Sequence, residues 1–424
     1  MTPISDHPQR FALSNELHAR PFPSLLAPAT AVFLAIKKAT NAAARDHDED
    51  LAFLIKLLDR FGAAHPQPDA THYQGQIGRH HLKWEKHTEF VTYTVFTEGL
   101  STRPYDPADF EVFPDDWLMS APGHRFTSAL VRILPRPDKA KILENLNDWF
   151  VPESLAVSSV LDDSAIIAGD FRIDSAGHLR FAVFAGEETG RQRIGRVVQR
   201  LCEIETYKSM SMLGFSRAKE MSRQMGRIEP QLTSLMGDIS NAQADETLDE
   251  LLGISAELEG LAAKASFRFG ATRAYQAIVA QRIEVLREER YDSRQTFAEF
   301  MMRRYDPAMR TVASTEVRLQ SLADRAMRAG ELLRTKVDVA RSAQNQKLLE
   351  SMDRRADLAL RLQETVEGLS VVAISYYAVS LAGYLFYPLA IGLGISKGVL
   401  TAALTLPVVG LVWWMIRRIK ARMH

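Results

Sequence analysis

The sequence predicts an α+β N-terminal domain, then a bundle or coiled coil of long helices, then a C-terminal two-helix transmembrane hairpin. Three observations carry that reading. Short runs rich in β-branched and aromatic residues are concentrated before about Gly186. From Thr189 onward, charged residues mix with Leu, Met and Ala at helical spacing. Gly368–Ser396 and Gly398–Ile416 then contain no Asp, Glu, Lys or Arg, with Lys397 the single charge between them. A bilayer core needs about 20 apolar residues of helix, whose backbone satisfies its own hydrogen bonds. Each apolar segment is long enough to span.

In chain order, ATAVFLAI from Ala29 to Ile36 is short and β-branched, which favours a strand. Asp46–Phe61 places Leu51, Leu54, Ile55, Leu57 and Leu58 at helical spacing behind an acidic first turn. HYQGQIG, HHLKWEKH and EFVTYTVFTEG read as strands. The last is bulky on both faces, as suits a central strand covered on both sides. Phe126–Leu134 predicts a strand and Asp138–Phe150 a helix. SLAVSSVL, SAIIAGDFRID and HLRFAVFAG complete the strands, with Asp174–Gly177 as a hairpin turn. The mixture lacks a regular βαβ beat, so the sheet is expected to be mostly antiparallel.

Beyond it the expected helices are Gly190–Met225, Pro230–Leu261, Ala262–Tyr305 and one from Pro307 onward, with Asp306-Pro307 as a break. Val312, Leu319, Leu322, Ala326, Leu333, Val337, Ala340, Leu348 and Leu362 form a narrow stripe on the last helix, which therefore wants partner helices. The expected organisation is a domain over 1–188, antiparallel helices over 189–306, a long helix over 307–367, the hairpin over 368–416 and a basic tail over 417–424. Pro388, Gly392 and Gly394 are expected to end or bend the first span near Tyr387.

Charge is balanced, 52 basic against 52 acidic residues, so no global field points to nucleic acid. The single cysteine, Cys202, excludes an intrachain disulfide and reads as a buried thiol. The N-terminal stretch lacks the apolar core of a signal peptide, so the body is expected to stay cytosolic. Arg354, Arg355 and Arg361 precede the first span, and Arg417, Arg418, Lys420 and Arg422 follow the second. Cytoplasmic flanks carry such Lys/Arg excess, which puts both termini inside and the turn outside. Trp413, Trp414, Tyr384 and Tyr387 suit the interfaces.

Candidate chemistry concentrates in Asn15-Glu16-Leu17-His18-Ala19-Arg20-Pro21-Phe22. Asn15, Glu16, His18 and Arg20 put an amide, an acid, an imidazole and a guanidinium beside a proline-fixed turn. Glu16 and His18 could form an acid/base pair with Arg20 holding an anion; the alternative is an arm tied down by ion pairs. His72, His80, His81 and His87 fall on adjacent strands, but neighbours along a strand face opposite ways, and no metal or cofactor is expected. Phosphate-loop, dinucleotide and nucleophile-elbow signatures are absent. In the spans, Ser375, Ser380, Gly383 and Tyr384 are candidates for helix packing or, in an oligomer, a pore wall.

With NELHARPF near its start and VEGLSVVAISYY leading into the first span, the chain resembles a family of membrane-anchored proteins of unknown function found mainly in proteobacteria. That resemblance implies the bacterial inner membrane and brings no activity. In architecture the chain is also similar to CorA-type divalent-cation channels, whose first span ends in Gly-Met-Asn. Here Gly383 is followed by Tyr384-Leu385-Phe386-Tyr387. The leading expectation is a membrane-anchored binding, scaffold or regulatory module that self-associates through its long helices. An oligomeric channel and an enzyme using Asn15–Phe22 are the alternatives. The expected partners are the lipid bilayer and further copies of the chain.

Overall fold

Ala29–Lys37 forms strand β1, buried at every position, and the sheet grows from it on both sides. The computed structural model describes residues 4–16, 22–68, 70–238, 244–393 and 396–423. The other strands are β2 (His72–Ile77), β3 (His80–Lys86), β4 (Phe90–Glu98), β5 (His124–Pro135), β6 (Ala156–Val160), β7 (Ala165–Gly169), β8 (Leu179–Ala185) and β9 (Glu289–Arg290). Their order is β2-β3-β4-β1-β5-β8-β7-β6-β9. Every pairing is antiparallel except β5 with β8. The antiparallel sheet expected from the irregular strand spacing is therefore present.

The first part of the chain is two passes of one pattern. β1, helix α2 (His47–Arg60), β2, β3 and β4 are followed, after α3 (Asp115–Met119), by β5, helix α4 (Lys139–Trp149), β6, β7 and β8. Each pass lays its first strand beside its last, and β1 and β5 meet at the centre. The preceding short helix, α1, spans Arg10–Glu16.

Strand periodicity sorts the two faces of the sheet. Val32, Leu34 and Ile36 share one buried cluster with Trp84 and Tyr93, covered by Phe53, Leu54 and Leu57 of α2 and Ile142 and Leu146 of α4. Trp117 of α3 completes it, stacked on Phe53 at 4.0 Å and donating its indole N–H to the Phe53 carbonyl at 2.9 Å. On the opposite face, Phe33, Lys83, Thr92 and Thr94 meet Gln199, Cys202 and Thr206 of α5 (Arg191–Asp238) around a small cavity. Its polar strand positions are satisfied across the layer: Lys83 Nζ donates to Gln199 Oε1 at 2.7 Å and pairs with Glu85 at 3.2 Å. Cys202 lies here, and burial pushes its thiol up.

The loops are held by caps and buried charge. Asp46 caps α2 by accepting from the Asp48 N–H at 2.9 Å. The buried Arg45 guanidinium donates to the Thr88 carbonyl at 2.6 Å and the Phe90 carbonyl at 3.1 Å, pinning the β3–β4 turn to the start of α2. Gly177 (φ +89°) makes the turn before β8, where Asp174 Oδ1 accepts from the Ala176 and His178 N–H groups at 2.9 Å.

The helical part departs from its expected boundaries. α5 passes through Pro230 without stopping, although a proline forfeits one hydrogen bond and crowds the preceding turn. Met221, Met225, Ile228 and Leu232 are all buried across it, so one apolar stripe continues on both sides. α6 covers Ala244–Glu284. A single helix from Ala262 to Tyr305 is not formed: Arg287, Asp292 and Ser293 adopt positive φ, β9 pairs with β6, and α7 (Phe297–Arg304) starts afresh. Thr296 and Glu299 cap it reciprocally, at 3.2 and 3.1 Å. The break expected at Asp306-Pro307 falls one residue earlier, at Tyr305, and Asp306 and Pro307 open α8, which runs Asp306–Gly392. Gly214 of α5 lies so close to α6 that a Cβ there would collide with Thr272.

Contacts divide the chain into two units: Met1–Ser240 with Asp249–Arg328, and Asn241–Leu248 with Ala329–His424. In the second, α8 continues through Pro388 to Gly392, beyond the expected end near Tyr387; Gly394 lies outside the described residues. α9 covers Lys397–Met423 and so carries the basic tail in helix. Among the described residues, two helices are long and apolar enough to cross a membrane, and only 6% of each apolar window is buried. A soluble core helix would be mostly covered.

Truncating Phe53 to Ala removes the ring on which Trp117 stacks. It is expected to destabilise the first unit by about 3–5 kcal/mol, measured as a lower unfolding midpoint with Trp fluorescence as the probe.

Candidate functional site

An open cavity of about 820 Å³ lies in the first unit where the end of β1 meets the start of β5. β1 contributes Lys37, with Lys38 following it. β5 contributes His124, Arg125 and Phe126, α5 contributes Leu213, Arg217, Glu220 and Arg223, and α6 contributes Lys264, Phe267 and Arg268. Backbone contact brings the two strands together: a Cβ on Gly123 would lie 2.8 Å from the Lys37 carbonyl. The Arg125 guanidinium occupies the space that a Cβ on Gly177 would fill. These cations are spread over 232 residues of sequence but face one concavity.

The floor is a buried charge cluster centred on Glu89, at 1% exposure. Arg268 grips its carboxylate with both terminal nitrogens, one at 3.1 Å. The Tyr275 hydroxyl donates to Oε1 at 2.9 Å, and Lys37 Nζ stands 3.6 Å from Oε2. Burial alone would raise the Glu89 pKa, but hydrogen bonds and charge from Arg268, then Tyr275 and Lys37, outweigh it and the net shift is downward. Burial lowers the Lys37 pKa, with Glu89 opposing. Burial and then the Glu89 charge raise that of Tyr275.

Around the rim the remaining cations differ in their partners. Lys38 pairs with Glu49 at 2.6 Å, and Arg223 pairs with Glu220 one turn away. Arg125, Arg217 and Lys264 have no carboxylate partner among the described residues. His178, behind Arg125, has its pKa lowered first by burial and then by that guanidinium, and its Nδ1 meets Ser128 Oγ at 2.9 Å.

A second concavity, of about 740 Å³, lies wholly in the second unit between α8 and α9. Ser375, Ser380, Gly383 and Tyr384 all line it, facing Leu400, Thr401, Thr405 and Val409 of α9. The four span residues singled out in the sequence thus border the same concavity. Thr401 and Thr405 donate back to the Lys397 and Thr401 carbonyls at 2.9 and 2.7 Å. Ser375 is 5% exposed and its Oγ has no hydrogen-bond partner. At the turn, Lys397 lies over the Tyr387 ring at 5.9 Å. At the other end of α9, Arg417 and Arg418 lie over Trp413 and Trp414 at 5.1 and 5.0 Å.

The N-terminal motif is not brought to either concavity by anything described. Asn15 and Glu16 fall in α1; their side chains, and His18 and Arg20 entirely, lie outside the described residues. Phe22 is described, with the Arg196 guanidinium 6.0 Å from its ring centroid. The sequence histidines scatter: His80 Nδ1 meets Thr97 Oγ1 at 2.6 Å, and His87 stacks on Phe90 at 4.4 Å. Sequence reasoning passed over the basic cavity. Its one usable signal is local: Lys37-Lys38 closing an apolar strand, and His124-Arg125 opening another.

A family model described as "Protein of unknown function (DUF3422)" matches residues 5–423. The chain belongs to this family. No curated protein matches it. The family therefore fixes kinship along nearly the whole chain and leaves chemistry to the geometry.

Replacing Glu89 by Gln leaves Arg268 and Lys37 facing each other without their counter-charge, and is expected to cost about 3–5 kcal/mol. Because folding lowers the Glu89 pKa, its contribution is fully present above its ordinary value of 4.5 and lost as pH falls through the lower folded value. Urea unfolding across pH should therefore show the gap between wild type and E89Q closing on acidification.

Proposed function

We propose that this chain is a membrane-anchored binding or scaffold module of the bacterial inner membrane. Its hairpin is the anchor, and its α+β body and both termini are cytosolic. It self-associates through α8. The Lys/Arg flanks of the spans support that orientation, and the exposure of the two apolar windows supports a lipid environment.

The observation that carries self-association is the bare stretch of α8. Val312, Leu319, Leu322, Ala326, Leu333 and Val337 are buried, whereas every residue from Asp338 to Val366 is exposed. That is about 43 Å of helix with no covering element among the described residues. Leu348, Met352, Ala359, Leu362, Val366 and Leu369 recur at alternating spacings of four and three, interrupted at Arg355, while Val339, Leu349, Leu358 and Leu360 lie off that stripe. This is the 3.5-residue period of a coiled-coil seam, and Asn345 occupies a core position one heptad before Met352. The occupant is a second copy. Copies whose helices enter one bilayer at the same end are already parallel and in register, so the same stripe meets itself.

A particle of this kind is a dimer in mild detergent by light scattering, and Leu362→Asp converts it to monomer while leaving insertion intact. In a Cys202→Ser background, Leu348→Cys should cross-link readily and Lys347→Cys poorly. A wild-type monomer would overturn self-association. A pentamer would replace the anchor reading with the channel reading.

A further inference from the structure

We infer that the basic cavity between β1, β5, α5 and α6 is a binding site for an organic phosphate carrying two or more negative charges. The inference goes beyond anchoring and self-association, and does not depend on them. It starts from charge. Seven Lys and Arg side chains line the cavity, and three carboxylates, Glu49, Glu220 and Glu89, answer them. The difference is four positive charges around one concavity, in a chain whose total charge is zero.

Like charges held on four separate elements and turned toward one space repel each other, and solvent screening removes only part of that cost. Arg125, Arg217 and Lys264 make the point most directly, since their charges are not neutralised by any described carboxylate. An anion entering the cavity relieves the repulsion and gains charge-assisted hydrogen bonds at once. Guanidinium forks on two sides, from Arg125 and Arg217, match the oxygens of a phosphate.

Two features set the class more narrowly. The volume of about 820 Å³ exceeds what an inorganic ion needs and suits a small organic molecule or headgroup. Phe126, Leu213 and Phe267 form an apolar wall beside the cations. Phe267 is 53% exposed, with the Arg268 guanidinium 5.5 Å from its ring centroid. The charged end of the ligand thus faces Arg125, Arg217 and Lys264, and its organic part lies on the aromatic side. A soluble phosphate ester and the headgroup of an anionic phospholipid share this chemistry.

The test uses the full chain in phosphatidylcholine nanodiscs, titrated calorimetrically with pyrophosphate and with phenyl phosphate. Wild type should bind both, with phenyl phosphate tighter than methyl phosphate. The triple variant Arg125→Gln, Arg217→Gln, Lys264→Gln should bind about tenfold more weakly or worse. Its ligand-free unfolding midpoint should be unchanged or higher, because the Glu89 cluster is intact and repulsion is reduced. Should the triple variant misfold, Arg217→Gln alone and Lys264→Arg provide a loss and a retention to compare. Discs containing phosphatidic acid separate the sources: a headgroup occupant weakens added pyrophosphate in wild type, and a soluble one leaves it unchanged. Equal binding by wild type and triple variant would overturn the site. So would an absence of pyrophosphate binding together with indifference to phosphatidic acid.

Discussion

Glu89 stands immediately before β4, and two other elements of the first unit are fastened to it. Lys37 brings the end of β1, while Arg268 and Tyr275 bring α6, all within hydrogen-bonding or ion-pairing distance of one buried carboxylate. Desolvating a carboxylate to 1% exposure is unfavourable by several kcal/mol unless its lone pairs are answered. Here they are answered by two cations and a phenol. The same cluster determines where the cavity can be. It commits Arg268 and Lys37 to its floor, so the unanswered cations are those around the rim.

The sheet gives that cluster its position. Two strand–helix–three-strand passes meet through β1 and β5, and this central antiparallel pair runs the full length of β1 with one irregularity between Ala35 and Ile36. α2 and α4 cover one face, which leaves the other to α5. A nine-stranded sheet flanked on both sides has bulky residues on both faces of its central strands, and the cavity opens where β1 ends and that cover stops.

Much of this was legible in local pattern. β1, α2, β4 and α4 follow from β-branched runs, helical spacing and Asp caps, and their observed bounds lie within a residue or three of the expected ones. The misses have physical causes. Pro230 reads as a helix break, but the apolar stripe Met221, Met225, Ile228 and Leu232 outweighs one lost hydrogen bond. The stretch from Val285 to Gln295 reads as helix by charge. Its left-handed residues and its pairing to β6 depend on tertiary contacts that periodicity does not encode. The cavity was hidden for a third reason. Its cations come from four elements far apart in sequence, and balanced composition conceals a local surplus. In the first span, Ser380, Gly383 and Tyr384 are spaced at i, i+3 and i+4 and so share a face by helical spacing, whereas Ser375 lies nine residues before Tyr384, half a turn away around the helix.

The notion of the last helix as one amphipathic rod gives way to a division at Val337. Before it, the apolar stripe is buried within the chain; after it, the stripe continues on a helix that no described residue covers. A lone helix of this length in water gains little from propensity and depends on packing for most of its stability. Lys/Glu-rich single helices escape that rule through dense i,i+4 ion pairs, yet from Asp338 to Val366 the described ones are few, and the spacing of Leu348, Met352, Leu362 and Val366 would be purposeless there. The period is instead that of a seam. In the proposed assembly each copy would continue from this stretch into its own span, so a bilayer would hold the two stripes parallel and raise their local concentration. An association too weak to survive in solution would then persist at the membrane, and the proposed anchor would serve assembly as well as attachment.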